Sequence, residues 1–205
     1  MANVSNVKSK FFGAVDALDA DGISVAASIG SATTLTLGGT LTSGGSYTSG
    51  DNIGQLVTIL SAADDSGITF TVVGTNAVGD ALTEVITGAD TSTATSSGYF
   101  NTVASITTSA ASAGNVSAGV TGTGTGTVFA GRTRIRGLQG LSGASAGNLL
   151  FKNTSITGTT LLTVPTQAAA ELIEPYIPDN AVLFDSGAYV NFGSAVATVT
   201  VFYDG

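Results

Sequence analysis

The chain has 205 residues, enough for one large or two small domains with buried cores. Only 10% of them are charged, and 6 Lys and Arg against 14 Asp and Glu leave a net charge of -8. That balance argues against free nucleic acid as a partner, since such affinity rests on neutralising phosphates with cations. The lack of His and Cys removes the commonest general base, the thiol nucleophile, disulfides and thiolate zinc sites.

A hydrophobic fraction of 43% separates the chain from disordered sequences, even though it carries 28 Gly and much Ser and Thr. Long-chain helix formers are scarce, whereas Thr and Val restrict χ1 and suit a pleated surface. The expected class is all-β: two small antiparallel β-sandwich or jelly-roll-like domains joined by a Gly/Thr-rich connector.

Residues 1–21 are expected to form an N-terminal arm. Its first ten residues hold no apolar run of the length that a signal peptide or membrane span requires, so cytoplasmic synthesis, a soluble product and no membrane partner are expected. Lys8 and Lys10 read as part of a frayed, solvated terminus, with a short basic arm reaching a neighbour as the alternative. Asp16, Asp19 and Asp21, ahead of Gly22, place three oxygen donors close together, as a hard cation such as calcium requires. The remaining ligands of an EF-hand loop are missing, so a turn with solvated carboxylates is expected there, and no cofactor.

Residues 22–120 are expected to form the first β domain. Turn residues recur at short intervals, as in Ser43-Gly-Gly45, Asp64-Asp-Ser-Gly67, Asn76-Ala-Val-Gly-Asp80, Ser96-Ser-Gly98 and Ala113-Gly-Asn115, with strand-length segments between them. The clearest unit is Gly67–Val73, a turn over Gly74–Asp80, and Ala81–Thr87. Ile68, Phe70 and Val72 fall on one face and Thr69 and Thr71 on the other, which describes a hairpin wetted on one side. Further strands are expected at Ala32–Leu37, Gln55–Leu60, Asn101–Ile106 and Asn115–Val120. The strict Gly/Thr alternation over Thr121–Thr127 opens a connector placed at 121–131.

Residues 132–205 are expected to form the second β domain, with strands at Arg132–Arg136, Asn148–Phe151, Thr159–Val164, Gly187–Phe192 and Ala195–Tyr203. Gln167–Glu174 reads as a short helical turn stopped by Pro175 and Pro178. Arg132, Arg134 and Arg136 fall on one strand face, making a basic row about 13 Å long from the strand rise. Such a row suits bidentate pairing with carboxylates of a neighbouring subunit, or else a solvated face whose Arg stems cover apolar surface. In the last strand Val199, Val201 and Tyr203 share a face while Val196 and Phe202 occupy the other, so the strand is buried on both sides, by its own fold or by another copy. The second alternative is preferred, and the three arginines with Val199, Val201 and Tyr203 form the candidate subunit interface.

Two stretches carry a resemblance. Ile68–Gly88, with Ser97–Thr107 and Ala113–Gly119, and the closing Asp185–Gly193 with Ala197–Asp204, are similar to virion proteins of tailed phages, particularly environmental and marine ones. The similarity lies in hairpin wording, turn residues and chain ending and touches about half the chain. It implies an assembly role, in capsid decoration or in the tail, and it supplies no functional residues. Arg132–Arg136 has no counterpart in that pattern.

Chemistry is otherwise sparse. Asp64 with Asp65 and Glu171 with Glu174 are nominal carboxylate pairs for glycoside hydrolysis, and each sits beside a turn that explains it. The Gly-rich tracts lack the Gly-Lys-Ser or Gly-Lys-Thr of a phosphate loop. Aromatic residues fall within strand patterns and read as core. The expected role is a non-enzymatic structural protein of the virion, a decoration or cement subunit on the head. Its partners would be the major capsid protein or other virion proteins and its own copies, with a trimer as the form that a lattice with local threefold positions suggests. A tail or fibre component and a receptor-binding or adhesin module are the alternatives.

Overall fold

Alternating β-branched and aromatic residues between turn-forming Gly, Asn and Asp dictate strands, and strands are what the chain forms. The computed structural model describes residues 6–193 and 196–205 and contains no helix among them, so the protein is all-β. The first five residues of the expected arm, and Ala195 of the expected last strand, lie outside the described residues. In chain order the strands are β1 (Val7–Phe12), β2 (Asp19–Ser28), β3 (Thr42–Ser43), β4 (Ser46–Thr48), β5 (Gly54–Ser61), β6 (Thr69–Thr75) and β7 (Ala81–Thr87). They continue as β8 (Thr93–Phe100), β9 (Thr102–Thr108), β10 (Asn115–Phe129), β11 (Thr133–Ser142) and β12 (Gly147–Asn153). The series closes with β13 (Thr160–Thr166), β14 (Leu172–Ile173), β15 (Val182–Phe184), β16 (Ala188–Gly193) and β17 (Val196–Asp204).

Contacts divide the chain into two units, Asp16–Gly124 and a second made of residues up to Val15 with Thr125–Gly205. In the unit Asp16–Gly124, β2 pairs with β10 and the order continues β10-β5-β8, while a second sheet runs β3-β4-β9-β6-β7. Their inner faces enclose one apolar cluster that includes Ile23, Tyr47, Val57, Ile59, Phe70, Val72, Phe100, Val103, Ile106 and Val120. The expected hairpin is β6 and β7, paired antiparallel from Thr69↔Thr87 to Thr75↔Ala81. Phe70 and Val72 are buried and Thr69 and Thr71 half-buried, as the alternation requires. Asn76 Oδ1 holds its turn by accepting the backbone N–H groups of Val78 and Asp80, both at 3.0 Å. Between β3 and β4, Gly44 and Gly45 both take positive φ, which a two-residue turn matching strand twist demands.

In the second unit one sheet runs β1-β17-β11-β14, with β15 also on β11, and the other runs β13-β12-β16-β10. Phe12, Ile135, Leu149, Phe151, Phe184, Val190, Phe192, Val199 and Val201 are buried there. The Phe12 and Phe192 rings, from strands of different sheets, lie 5.4 Å apart between centroids.

Several expectations are corrected. The Gly/Thr tract is strand, not connector: it lies inside β10, of which Asn115–Gly124 belongs to one unit and Thr125–Phe129 to the other. Thr is a good strand former, and Gly serves where another backbone comes close. A Cβ on Gly119 would stand 1.8 Å from the Asp19 carbonyl oxygen, and one on Gly122 would stand 3.1 Å from the Leu18 nitrogen. The described part of the arm is no frayed terminus, since β1 pairs with β17 from Val7↔Asp204 to Phe12↔Val199. Lys8 Nζ donates to the Gly205 carbonyl oxygen at 2.5 Å, and burial lowers the pKa of Lys10. Ala32–Leu37 does not hold as a strand: it contributes one bridge, Thr34↔Thr107, while Leu35 and Leu37 are buried. Ser96-Ser-Gly98 lies within β8 rather than in a turn, next to a register shift against β5 that leaves Ser96 Oγ to accept the Val57 N–H at 2.9 Å. The helical turn at Gln167–Glu174 is absent, because Ala169 and Ala170 have φ of 75° and 56°, outside the right-handed helical region.

Gly119→Ala will cost about 2 kcal/mol or more in urea unfolding, because the added methyl meets backbone that cannot rotate away. A fragment spanning residues 16–124, which carries its own two sheets and core, will unfold cooperatively on its own; a broad, non-cooperative transition would show that its core is not self-sufficient.

Candidate functional site

The arginine row is built by β11. Thr133 and Ile135 point inward and are buried, so Arg132, Arg134 and Arg136 are left on the outer side, where they line one cleft of about 300 Å³ with Leu183 and Asp204. A register shift between Ile135 and Gly137 in the pairing of β11 with β17 makes Arg136 the extra residue of a bulge. The structure shows where these side chains are used. Arg136 Nε donates to Asp204 Oδ2 at 2.6 Å, its Nη2 lies 2.5 Å from the same oxygen, and its Nη1 donates to the Asp179 carbonyl at 3.0 Å. Arg134 Nη1 donates to the Asn180 carbonyl at 2.7 Å. Those two carbonyls belong to the turn closed by the Ala181 N–H to the Pro178 carbonyl at 2.7 Å. Two of the three arginines therefore clamp a loop of their own chain, and Arg136 ties it to the end of β17. Arg132 is held least: its Nε is 3.7 Å from Asp185 Oδ1, and both side chains are about two-thirds exposed at 67% and 69%. Hydrogen bonding to Asp204 pushes the pKa of Arg136 up.

The rest of the expected interface is placed elsewhere. Val199 and Val201 are fully buried and Tyr203 is 9% exposed, on the face of β17 that packs into the unit's own core. One apolar face of that strand is thus met inside the fold, while Phe202 on the other face is half-buried. The arginines and the three apolar residues sit on opposite sides of one sheet and do not form a single surface.

Asp16, Asp19 and Asp21 separate by role. Asp16 accepts the Tyr47 hydroxyl at 2.8 Å, in a network where Gln55 Oε1 accepts Ser49 Oγ at 3.0 Å and Gln55 Nε2 donates to the Thr121 carbonyl at 2.7 Å. Tyr47 and Gln55 are fully buried, and burial raises the Tyr47 pKa far above its ordinary value. Asp19 accepts the Thr40 hydroxyl at 2.8 Å and the Asp21 N–H at 3.2 Å, and these bonds lower its pKa, the Thr40 hydroxyl most. Among the described residues no group of three or more Asp, Glu, His or Cys is arranged to hold a metal ion. The nominal pairs are spent on local structure: Asp64 Oδ1 accepts Ser66 Oγ at 2.6 Å, and buried Asp65 accepts the Ala113 N–H at 2.8 Å. Glu171 and Glu174 are exposed.

Charge is segregated between the two units, a property that is legible in residue order but carries no local motif. All six cations, Lys8, Lys10, Arg132, Arg134, Arg136 and Lys152, belong to the second unit, which also has five carboxylates and so carries +1. The unit Asp16–Gly124 has nine carboxylates and no Lys or Arg, hence -9, and the two values make up the -8 of the chain. Its carboxylates rely on hydroxyls and backbone N–H groups instead, as Asp19, Asp64, Asp65 and Glu84 all do. Comparison with known protein families, curated proteins and solved structures finds no match.

Two measurements check this electrostatic arrangement. Asp19 has a depressed folded pKa, so its hydroxyl bond stabilises the fold above the ordinary Asp range and that stabilisation is lost as pH falls through the lowered value. Thr40→Val removes the main cause and will move the Asp19 pKa upward in a carboxyl-detected NMR titration; an unmoved pKa would show that the Thr40 bond is not what lowers it. Asp204→Asn will shift the denaturant unfolding midpoint only slightly, because the pair it breaks is partly solvated.

Proposed function

We propose that the chain is a non-enzymatic structural subunit of a tailed-phage virion, most concretely a decoration or cement protein bound to the major capsid protein lattice as a small homo-oligomer. The observation that carries this reading is the fold: an all-β chain of two units, each with two sheets around its own apolar core, built from residues of low reactivity. The resemblance of its hairpin and closing strands to tailed-phage virion proteins points the same way. Such a subunit acts by mass action: binding the assembled lattice and not its dissociated parts stabilises the lattice by the binding free energy. Arg132, the least engaged of the row, is the cation best placed to reach a neighbour's carboxylate.

Density mapping of particles assembled from the genome that encodes the chain tests this. The decoration reading expects many copies spread over the shell away from the tail. A few copies at one vertex would replace it with a tail or fibre role, and particles that lack the protein would overturn the virion reading altogether.

A further inference from the structure

The unit Asp16–Gly124 is tied shut along one side and open along the other. On the closed side Glu84 of β7 accepts the N–H groups of Ser97 and Gly98 of β8 at 2.6 and 2.8 Å, joining its two sheets. On the open side lies β2, whose single strand neighbour among the described residues is β10. The outer edge of β2 is met at its start, where the carbonyls of Gly22 and Ile23 accept the N–H groups of Leu41 and Gly39, and past its end, where Ile29 exchanges bonds with Ser112. On the inner edge β10 pairs with Ser24, Ala27 and Ser28 across a register shift at Val25 and Ala26, and among the described residues the outer edge from Ser24 to Ser28 meets no backbone partner. Under that edge, between β2 and residues 33–38, runs a groove of about 480 Å³ lined mainly by apolar atoms, among them those of Val25, Ala27, Ile29, Leu35 and Val116. Val25 is 55% exposed.

Native sheets protect such edges with lysine, proline or charge. No charged residue and no proline occurs from Gly22 to Gly50, so this edge is bare and uncharged along its middle. Exposed Asp21 stands at the head of β2 with Asp19, in a unit with nine carboxylates and no cation. We infer that β2 is a docking edge that takes an extended segment of a basic partner protein as an added strand. Main-chain bonds to Ser24–Ser28 supply the pairing, alternate apolar side chains of the incoming strand enter the groove, and its flanking Lys or Arg meet the carboxylates. A second copy of the same unit would bring another nine carboxylates to the contact, which is why the occupant is a basic partner and not a second β2. An incoming strand antiparallel to β2, as β10 is, sets its C-terminal end beside Asp19 and Asp21. The inference does not depend on the virion reading.

The full chain with synthetic peptides tests it. The probe Ser-Thr-Val-Thr-Val-Thr-Lys-Lys is expected to bind, to slow amide exchange at residues 24–28, and to bind at least about tenfold more tightly than the same peptide ending in Glu-Glu, a preference that shrinks as salt is raised. Val25→Lys, on an exposed position, is expected to abolish binding, and Asp19→Asn with Asp21→Asn to narrow the gap between the two peptides. Equal affinity for both peptides, binding untouched by Val25→Lys, protection away from residues 24–28, or no binding of either peptide would each overturn the assignment. None of these outcomes alters where the protein sits in a particle, so failure here and failure of the virion reading are separately visible.

Discussion

A chain whose described residues form no helix must find a partner on another strand, in a turn or in water for every backbone N–H and C=O, and that requirement organises this protein. Side chains long enough to cap or cover are rare in it, with 10% charged residues. The ladders therefore do most of the positioning, and small residues are what allow them to come together. Gly119 sits where the Asp19 carbonyl would strike any Cβ, so the pairing of β2 with β10 exists only because that position is bare. The same constraint explains the turns, in which Asp, Asn, Ser and Thr side chains take backbone N–H groups that the ladders leave over, as Asn76, Asp64 and Asp65 do.

Electrostatics follows from that use of carboxylates. In the unit Asp16–Gly124 several acids, Asp19, Asp64 and Glu84 among them, serve as structural acceptors for hydroxyls and amides, and no cation is present. The charge left over is nevertheless a long-range field. In the other unit three of the six cations are spent locally. Arg134 and Arg136 hold carbonyls of the turn at Pro178–Ala181, and Lys8 holds the carbonyl of Gly205. A row of arginines that reads as a recognition surface is thus in large part a clamp, with Arg132 its least engaged member.

Legibility tracked locality. The hairpin of β6 and β7 was readable because its signal is contained in about twenty residues: strict alternation on both sides of a turn rich in Asn, Gly and Asp. The basic row was readable as a face because period two is local too, and the structure leaves the three side chains on the outer side of β11. Its partners were not readable, since the carbonyls of Asp179 and Asn180 and the carboxylate of Asp204 lie some forty to seventy positions away. The Gly/Thr tract misled for a related reason. Its composition is that of a linker, and only the approach of Leu18 and its neighbours to β10 shows why some positions must lack a side chain.

By itself the sequence determined the all-β class, the hairpins with local turn chemistry, the outward face of the arginine row and the scarcity of reactive groups, because each of these depends on residue type or on a period of two. Tertiary structure alone decided that residues near both ends of the chain share one unit, that the inner face of β17 is spent on its own core, and that β2 keeps a bare edge over an apolar groove. Which strand lies beside which is a matter of long-range pairing, and a residue pattern with a period of two is satisfied equally by any neighbour that offers the same pleat.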